Sequence, residues 1–498
     1  MKKLPLVLIA VLLLAMPFPA AGSSRLAAPP LLPGEYIVDI LGDTGGQCPS
    51  AAAKCSLRTA IETANSDGIN SSITFAVSGT IELGSSLPAV TDTHPLTITG
   101  PVDGITISGE GLYKILSVES GAVLTLNNLT ISNGFNPGDG GALTNSGSLA
   151  LNTCEFRDNL TTGVGRGGAI ENTGVLNIDQ CDFVGNEAAG NGGAIHNNTS
   201  GMLTIHTSTF VNNQAAWFGG AIHNEASSGP GIITANISES TFQGNHATLC
   251  GGAIANIPIA GQANVNLSVS QSLFRDNTAD EDGGAIYHSS KITTVINSTL
   301  TGNSAARGGA IFNAVGWYVY LINNTIVNNT ATDLDPEPDP ENPQIEPIGW
   351  NIHNDTGFTY IRNTIVTSSL SSAHNCHVGI SGSGEIKTKN DGNNTDNGAS
   401  CRFGSDNGSH SNTNPQLLDL ADNGGPTLTM ALRFISPAVD GVTVPHIYDG
   451  SIDCPSVDQR GVSRPILGKP LGTPRCDIGA YEFEPPTWLF VFLPLITR

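Results

Sequence analysis

The chain has 498 residues, with 43 Asp and Glu against 21 Lys and Arg and a formal net charge of −22. That balance, with no basic run, argues against partners such as nucleic acid or an anionic membrane surface. Charged residues make up only 13% and Gly numbers 59, which suits many tight turns, while 39% apolar residues suffice for a thin continuous core.

At the N-terminus, Lys2 and Lys3, an apolar run from Leu4 to Ala15, then Pro17, Pro19, Ala20, Ala21 and Gly22 have the layout of a secretory signal cleaved near Gly22. Nothing in the mature chain has the length of a transmembrane helix. Nine cysteines in an exported chain read as disulfides with one left over. Plausible local pairs are Cys48 with Cys55, Cys376 with Cys401, and Cys454 with Cys476. Cys154 and Cys181 each stand two before a Phe of a repeated phrase and should point inward with it. They are expected as free buried thiols, because stacked strands give poor geometry for a bridge between rungs. Cys250 has no assignment.

After a Pro-rich leader, Tyr36 to Asp39 form a first strand, and Cys55 to Asn65 form the one helix, with Leu57, Ile61 and Ala64 at helical spacing. An amphipathic helix ahead of a solenoid caps its open apolar end. From Ile73 to about Gly134 short alternating strands follow, such as Leu96-Thr97-Ile98 and Ile105-Thr106-Ile107.

Then a phrase recurs, Gly-Gly-Ala-[Ile/Leu]-x-Asn. Its seven copies begin with Gly140-Gly141 (Asn145), Gly167-Gly168 (Asn172), Gly192-Gly193 (Asn197), Gly219-Gly220 (Asn224), Gly251-Gly252 (Asn256), Gly283-Gly284 (His288 in the Asn place) and Gly308-Gly309 (Asn313). A second phrase, an aromatic or aliphatic residue and then Asn three places on, alternates with it: Phe156 to Asn159, Phe183 to Asn186, Phe210 to Asn213, Phe242 to Asn245, Phe274 to Asn277, Leu300 to Asn303 and Ile326 to Asn329. The Gly-Gly copies start 27, 25, 27, 32, 32 and 25 residues apart, a repeat period that marks one rung of a solenoid. The segments between are short and alternate apolar with polar, as half-buried strands do. Gly-Gly permits a corner with positive φ, Ala lets the next rung stack closely, and a recurring Asn can form an amide ladder along the stack. The fold class is all-β, a single-stranded parallel β-helix with an N-terminal capping helix.

An acidic, Pro-rich insertion at 333–347 reads as an extended loop on one side of the stack. From about Asn375 the language changes, and an apolar tail, 484–498, closes the chain as a capping strand or a sorting tail. The expected organisation is a signal at 1–22, leader and cap at 23–72, β-helix at 73–374, a C-terminal region at 375–483, and the tail.

Three stretches resemble known families. Cys55-Ser56-Leu57-Arg58-Thr59-Ala60 resembles the Cys-Ser-Leu-Arg-Glu-Ala motif that names an N-terminal domain of secreted bacterial β-helix proteins, with Thr59 in place of Glu. The Gly-Gly-Ala-Ile and Phe-x-x-Asn phrases are similar to the repeats of chlamydial polymorphic outer-membrane proteins. Asn414-Pro415-Gln416-Leu417, Asn423-Gly424-Gly425-Pro426-Thr427, Ser436-Pro437-Ala438-Val439-Asp440, Asp458-Gln459-Arg460-Gly461, Arg464-Pro465 and Cys476-Asp477-Ile478-Gly479-Ala480-Tyr481-Glu482 are similar, in order, to the "choice-of-anchor Q" region of exported bacterial β-helix proteins. These resemblances imply a right-handed β-helix, a secreted or cell-surface location and adhesin-like binding. The chlamydial proteins end in a membrane β-barrel, and no such series of strands occurs here.

The residue between Ile and Asn of the Gly-Gly phrase is expected to face outward. Successive rungs carry Thr144, Glu171, His196, His223, Ala255, Tyr287 and Phe312 there, at strand spacing of ~4.8 Å. Glu171, His196 and His223 are therefore candidates for a divalent metal or an acid/base pair. The bland reading is an exposed ladder of unrelated side chains, since a flat sheet face excludes no water and offers no ligand beyond those three. Asn394-Thr395-Asp396 matches one element of pectin hydrolases without the others, and Asn390 to Gly398 lacks the Asp spacing and closing Glu of a calcium loop. No cofactor is expected; calcium at the acidic insertion is the lesser alternative. The functional expectation is binding of glycan or a surface protein through extended outer faces. The alternatives are a polysaccharide-degrading enzyme or a purely structural spacer.

Overall fold

The computed structural model describes residues 32–48, 54–198, 201–226, 233–258, 265–314, 317–333, 351–369, 374–377, 388–405, 407–445, 454–469 and 473–486. The expected signal and nearly all of the insertion and the tail lie outside them.

Four parallel sheets of 13, 12, 10 and 8 strands stack along the molecule. From Phe135 to Ala331 each turn of chain adds one strand to each sheet. Ile195–Asn198 joins the 10-stranded sheet, Met202–His206 the 13-stranded, Thr209–Val211 the 12-stranded and Gln214–Ala215 the 8-stranded. The chain is thus a parallel β-helix, and register is in phase with the sequence phrases: Phe183 pairs with Phe210, and Ile195 with Ile222.

The interior is made of stacks of like residues. Phe156, Phe183, Phe210, Phe242 and Phe274 lie ring on ring, with centroids 4.8–5.0 Å apart and planes within 7°. Truncating one such buried ring to Ala costs ~3–5 kcal/mol. Beside them a buried amide ladder runs unbroken from Asn159 through Asn186, Asn213, Asn245, Asn277, Asn303, Asn329 and Asn351 to Asn375, each Nδ2 donating to the next Oδ1 at 2.8–2.9 Å. A second ladder links Asn145, Asn172, Asn197, Asn224 and Asn256 at 2.7–3.1 Å. At the His288 rung this ladder changes partner, and Asn256 donates instead to Thr293 Oγ1 at 3.1 Å.

Cys154 and Cys181 are free and buried, at the foot of a third ladder. The Cys154 amide faces Cys181 Sγ at 3.3 Å, and the Cys181 amide donates to Ser208 Oγ at 3.0 Å, as Ser208 does to Ser240 and Ser240 to Ser272. The pairs Cys48–Cys55, Cys376–Cys401 and Cys454–Cys476 are disulfide-bonded.

The two glycines of the phrase do different work. Gly192 has φ of 67°, where an L side chain is strained. Gly193 lies against the next rung, and a Cβ there would sit 2.0 Å from Gly220 O. The close approach that the sequence suggests for Ala belongs to this second Gly.

Helix Leu57–Asp67 starts at Ser56, whose hydroxyl accepts from Thr59 N, and ends at Gly68 with φ of 68°. It buries Leu57, Ala60, Ile61 and Ala64 over the first rungs, where Leu57 and Ile61 meet Ile98, Ile107 and Leu126. At the other end the stack runs past residue 374, through Cys376–His377, Thr388–Asn390 and Thr395–Asp396. Asp396 closes the long ladder, accepting from Asn375 Nδ2 at 2.5 Å and from the Gly398 amide at 2.8 Å.

The chain then turns back along the outside of the solenoid. Gln459 accepts from Thr299 Oγ1 at 2.6 Å and donates to Thr427 Oγ1 at 2.9 Å, while Ala480 N donates to Thr325 Oγ1 at 3.0 Å. Its sequence motifs meet in one buried charged knot. Arg464 donates to Asp477 O and Gly479 O (3.0 and 2.8 Å), Glu482 accepts from the Ile466 and Asp477 amides (2.8 and 3.0 Å), and Arg460 pairs with Asp458 and lies 3.8 Å over the Tyr481 ring.

Candidate functional site

The strip Glu171, His196, His223 lies in register on the 10-stranded sheet, as the repeat spacing requires. It points away from the interior of the coil, yet it is not exposed: Glu171 is 7% accessible, His196 0% and His223 1%. The expected bare face is roofed. The residues just before the Gly-Gly pairs, in order Asp139, Arg166, Asn191, Phe218, Cys250, Asp282 and Arg307, form a further row, from which Arg166 and Asn191 reach Glu225, Phe218 reaches His223 and Arg307 reaches Phe312. That row is hydrogen-bonded from rung to rung, with Gly140 N donating to Arg166 O, Gly192 N to Phe218 O, and Gly219 N to Cys250 O at 2.8–3.0 Å. Phe218 covers the His223 ring at 5.9 Å. Cys250 finds its place in this row, its thiol pushed up to about 12 by burial and by Asp282.

Beneath the roof is a connected polar cluster. His196 Nδ1 lies 2.7 Å from Glu171 Oε2, and His196 Nε2 lies 3.1 Å from Glu225 Oε2. His223 Nδ1 is 3.5 Å from the same Glu225 oxygen, and the two imidazoles stack at 5.2 Å. Glu225 Oε1 faces Arg166 Nη1 at 3.4 Å, and Asn191 Nδ2 donates to Glu225 Oε2 at 3.3 Å. Neither ring nitrogen of His223 has a hydrogen-bond partner, and neither does Asn191 Oδ1.

Charges sort themselves accordingly. Burial disfavours an imidazolium at His196, but the Glu171 carboxylate and the bonds to Glu171 and Glu225 outweigh it and raise the pKa to about 9. Burial, reinforced by the positive His196, pushes His223 down to about 3. Burial would raise Glu225, but the His196 hydrogen bond and nearby positive charge bring it down to about 2. At neutral pH His196 is cationic, His223 neutral and Glu225 anionic.

Beside the expected Glu171, His196 and His223, the cluster holds a further carboxylate, Glu225. Its signal was present, since Glu225 follows Asn224 and, two residues from His223, shares its side of the strand. Glu171 instead backs His196, and Arg166 and Asn191 come from the roof. Two shallow grooves open elsewhere on the surface, one lined by Thr241, Gln243, Arg275 and Thr427, the other by Asn128, Thr153, Glu155 and Asp182. Neither contains the cluster.

Beyond Ala255 the same strip turns aromatic. Tyr287, Phe312, His353 and His377 stack in succession at 5.6, 4.7 and 4.2 Å, with Arg307 4.9 Å over Phe312 and clamped to Asp282 at 2.7 and 2.8 Å. Among the described residues, the outer face of the 13-stranded sheet is more open to water. It carries Tyr318, Tyr320, Phe358 and Tyr360 as a two-by-two block of rings, 5.2–6.4 Å between centroids, with Tyr318 37% exposed. Among the described residues no helix is long and apolar enough to cross a membrane.

Among curated proteins none matches the chain. Among solved structures, the PL6 family alginate lyase AlyGC shares 12% identity and superposes with a TM-score of 0.40 over 89% of this chain, which spans 60% of the length of that lyase. That likeness carries no argument about activity. Residues 180–198, 207–225, 239–257 and 271–289 match the Chlamydia polymorphic membrane protein repeat. The chain is therefore similar, in four successive rungs that include His196, His223 and Glu225, to the repeats of polymorphic membrane proteins.

Proposed function

We propose that this chain is an exported, cell-surface β-helix protein with adhesin-like activity, which holds neutral glycan on the outer face of its 13-stranded sheet. The observation that carries this reading is the half-exposed block Tyr318, Tyr320, Phe358 and Tyr360. Aromatic rings with phenol hydroxyls offer apolar area to sugar C–H faces and polar tips to sugar hydroxyls. The solenoid keeps the rings at fixed spacing, so an extended ligand meets a surface already organised.

Two further observations support it. The match to polymorphic membrane protein repeats favours a surface location. The net charge of −22 disfavours polyanionic polymers and leaves neutral ones. An acid/base role for Glu171, His196 and His223 is disfavoured by their burial, since a general acid or base must come within hydrogen-bond reach of substrate.

The test is retention of purified protein on a panel of immobilised neutral polysaccharides, scored together with release of new sugar ends. Retention without cleavage, lost on Tyr320→Ala with Tyr360→Ala, is the expected result. Cleavage of any polymer, or retention indifferent to both substitutions, would reject the reading.

A further inference from the structure

The roofed cluster has a feature that packing alone does not account for. His196 by itself is satisfied, as an imidazolium between two carboxylates. His223 is not: it is 1% exposed, and neither nitrogen has a partner. Leaving a buried polar group unpaired is destabilising, so an imidazole in this state needs a reason.

We propose that His196 Nε2, His223 and Glu225 Oε2 form a binding site for one Zn²⁺ ion, which staples the rung of Ile195–Asn198 to the rung of Ile222–Ala226. Each of the three residues offers one ligand atom, all within 4.8 Å of one another. A tetrahedral ion ~2.0–2.1 Å from its donors sets those donors ~3.3 Å apart. The separations to Glu225 Oε2 are 3.1 Å from His196 Nε2 and 3.5 Å from His223 Nδ1, on either side of that value. The third edge closes by a turn of the His223 ring, which no hydrogen bond holds in place.

The surroundings are those of a metal site. Glu171 at Nδ1 of His196 holds a proton on that nitrogen, so that Nε2, giving up its own proton to solvent as the ion binds, turns its lone pair to the metal in a carboxylate–histidine–metal arrangement. Glu225 divides its oxygens, Oε1 facing Arg166 and Oε2 facing the imidazoles and the Asn191 amide. Asn191, whose Oδ1 is also unpaired, reaches the cluster through its Nδ2 on Glu225. Two imidazoles and one carboxylate suit a borderline first-row ion and do not suit Ca²⁺, which takes six to eight oxygens. This site is independent of the glycan face.

The experiment uses the whole protein, stripped with chelator, dialysed against ZnCl₂ or CaCl₂ and assayed for metal per chain, with a parallel CoCl₂ sample read by visible absorption. The expected result is one Zn²⁺ per chain, no Ca²⁺, a tetrahedral Co²⁺ spectrum without thiolate bands, and a higher melting temperature with Zn²⁺. His223→Gln should abolish uptake, and Glu171→Gln should weaken affinity ~10–100-fold with the β spectrum unchanged. Absence of Zn²⁺ uptake by folded protein would overturn the proposal, as would uptake undiminished in His223→Gln. Should that variant fail to fold, the wild-type Co²⁺ spectrum still decides: octahedral or thiolate coordination contradicts the site.

Discussion

The outer faces of two sheets in this molecule are built by the same alternation and meet opposite fates. On the 13-stranded sheet, outward residues such as His206, Tyr318 and Tyr320 remain open or half-open to water. On the 10-stranded sheet, outward residues such as His196, His223, Ala255 and Phe312 are sealed, at most 2% exposed. The difference comes from one row of chain. The residue before each Gly-Gly pair runs back over the 10-stranded sheet, because a left-handed first Gly and a side-chain-free second Gly let successive corners nest at backbone contact. One face thus becomes a second, polar core; the other stays a surface.

The most damaging way to break this contrast is to prevent the corners from nesting. Gly193→Ala places a Cβ 2.0 Å from the Gly220 carbonyl oxygen, and a loss of ~4 kcal/mol or more in urea-monitored stability is expected. Gly163→Ala, whose nearest contact would be 3.8 Å away, should cost only ~1 kcal/mol, chiefly from its positive φ.

The sealed core also sets a pH dependence. Burial pushes His288 down to about 3 from an ordinary value of 6.5. Below pH 6.5 the unfolded chain takes up a proton there that the folded chain refuses until about pH 3. Stability therefore falls with pH across that window by ~1.4 kcal/mol per unit from this residue, and no such loss occurs above it. His288→Asn restores the residue used at this place in most other rungs. The difference in stability between wild type and this variant should change with pH only between 6.5 and 3.

Smaller effects sharpen the comparison. In chelator, His223→Leu removes two unpaired nitrogens, and equilibrium unfolding should show no loss, up to a gain of ~1 kcal/mol. A clear destabilisation would mean that His223 is satisfied within the metal-free protein. On the open face, Tyr320→Ala should change stability by under ~1 kcal/mol while reducing glycan retention.

The solenoid, its capping helix and its amide ladders are legible in the sequence because each depends on local period: Phe156 and Phe183 stack because they occupy equivalent places 27 residues apart. The register of Glu171, His196 and His223 was legible for the same reason. Their burial was not, because alternation says only which way a side chain points from its own strand, and whether another segment lies over it depends on a corner whose path the pattern does not specify. Glu225 was missed for a related reason: it stands just outside the repeated phrase, where the other rungs carry Ser146, Thr173, Asn198, Ile257, Ser289 and Ala314. The C-terminal motifs were readable as a series, but that Arg464, Asp477 and Glu482 meet in one knot is a long-range fact that spacing does not encode.

The contrast between the two faces is tested most directly by the hydrogen–deuterium exchange of histidine ring C2 protons, resolved by residue in the native protein. The roofed-sheet account predicts that His206 and His94, both exposed to solvent, exchange readily, while His196, His223 and His288 exchange many times more slowly. Exchange at His196 and His223 as fast as at His206 would show that the roof is not there, and with it would fall the division of the molecule into a sealed polar core and an open binding face.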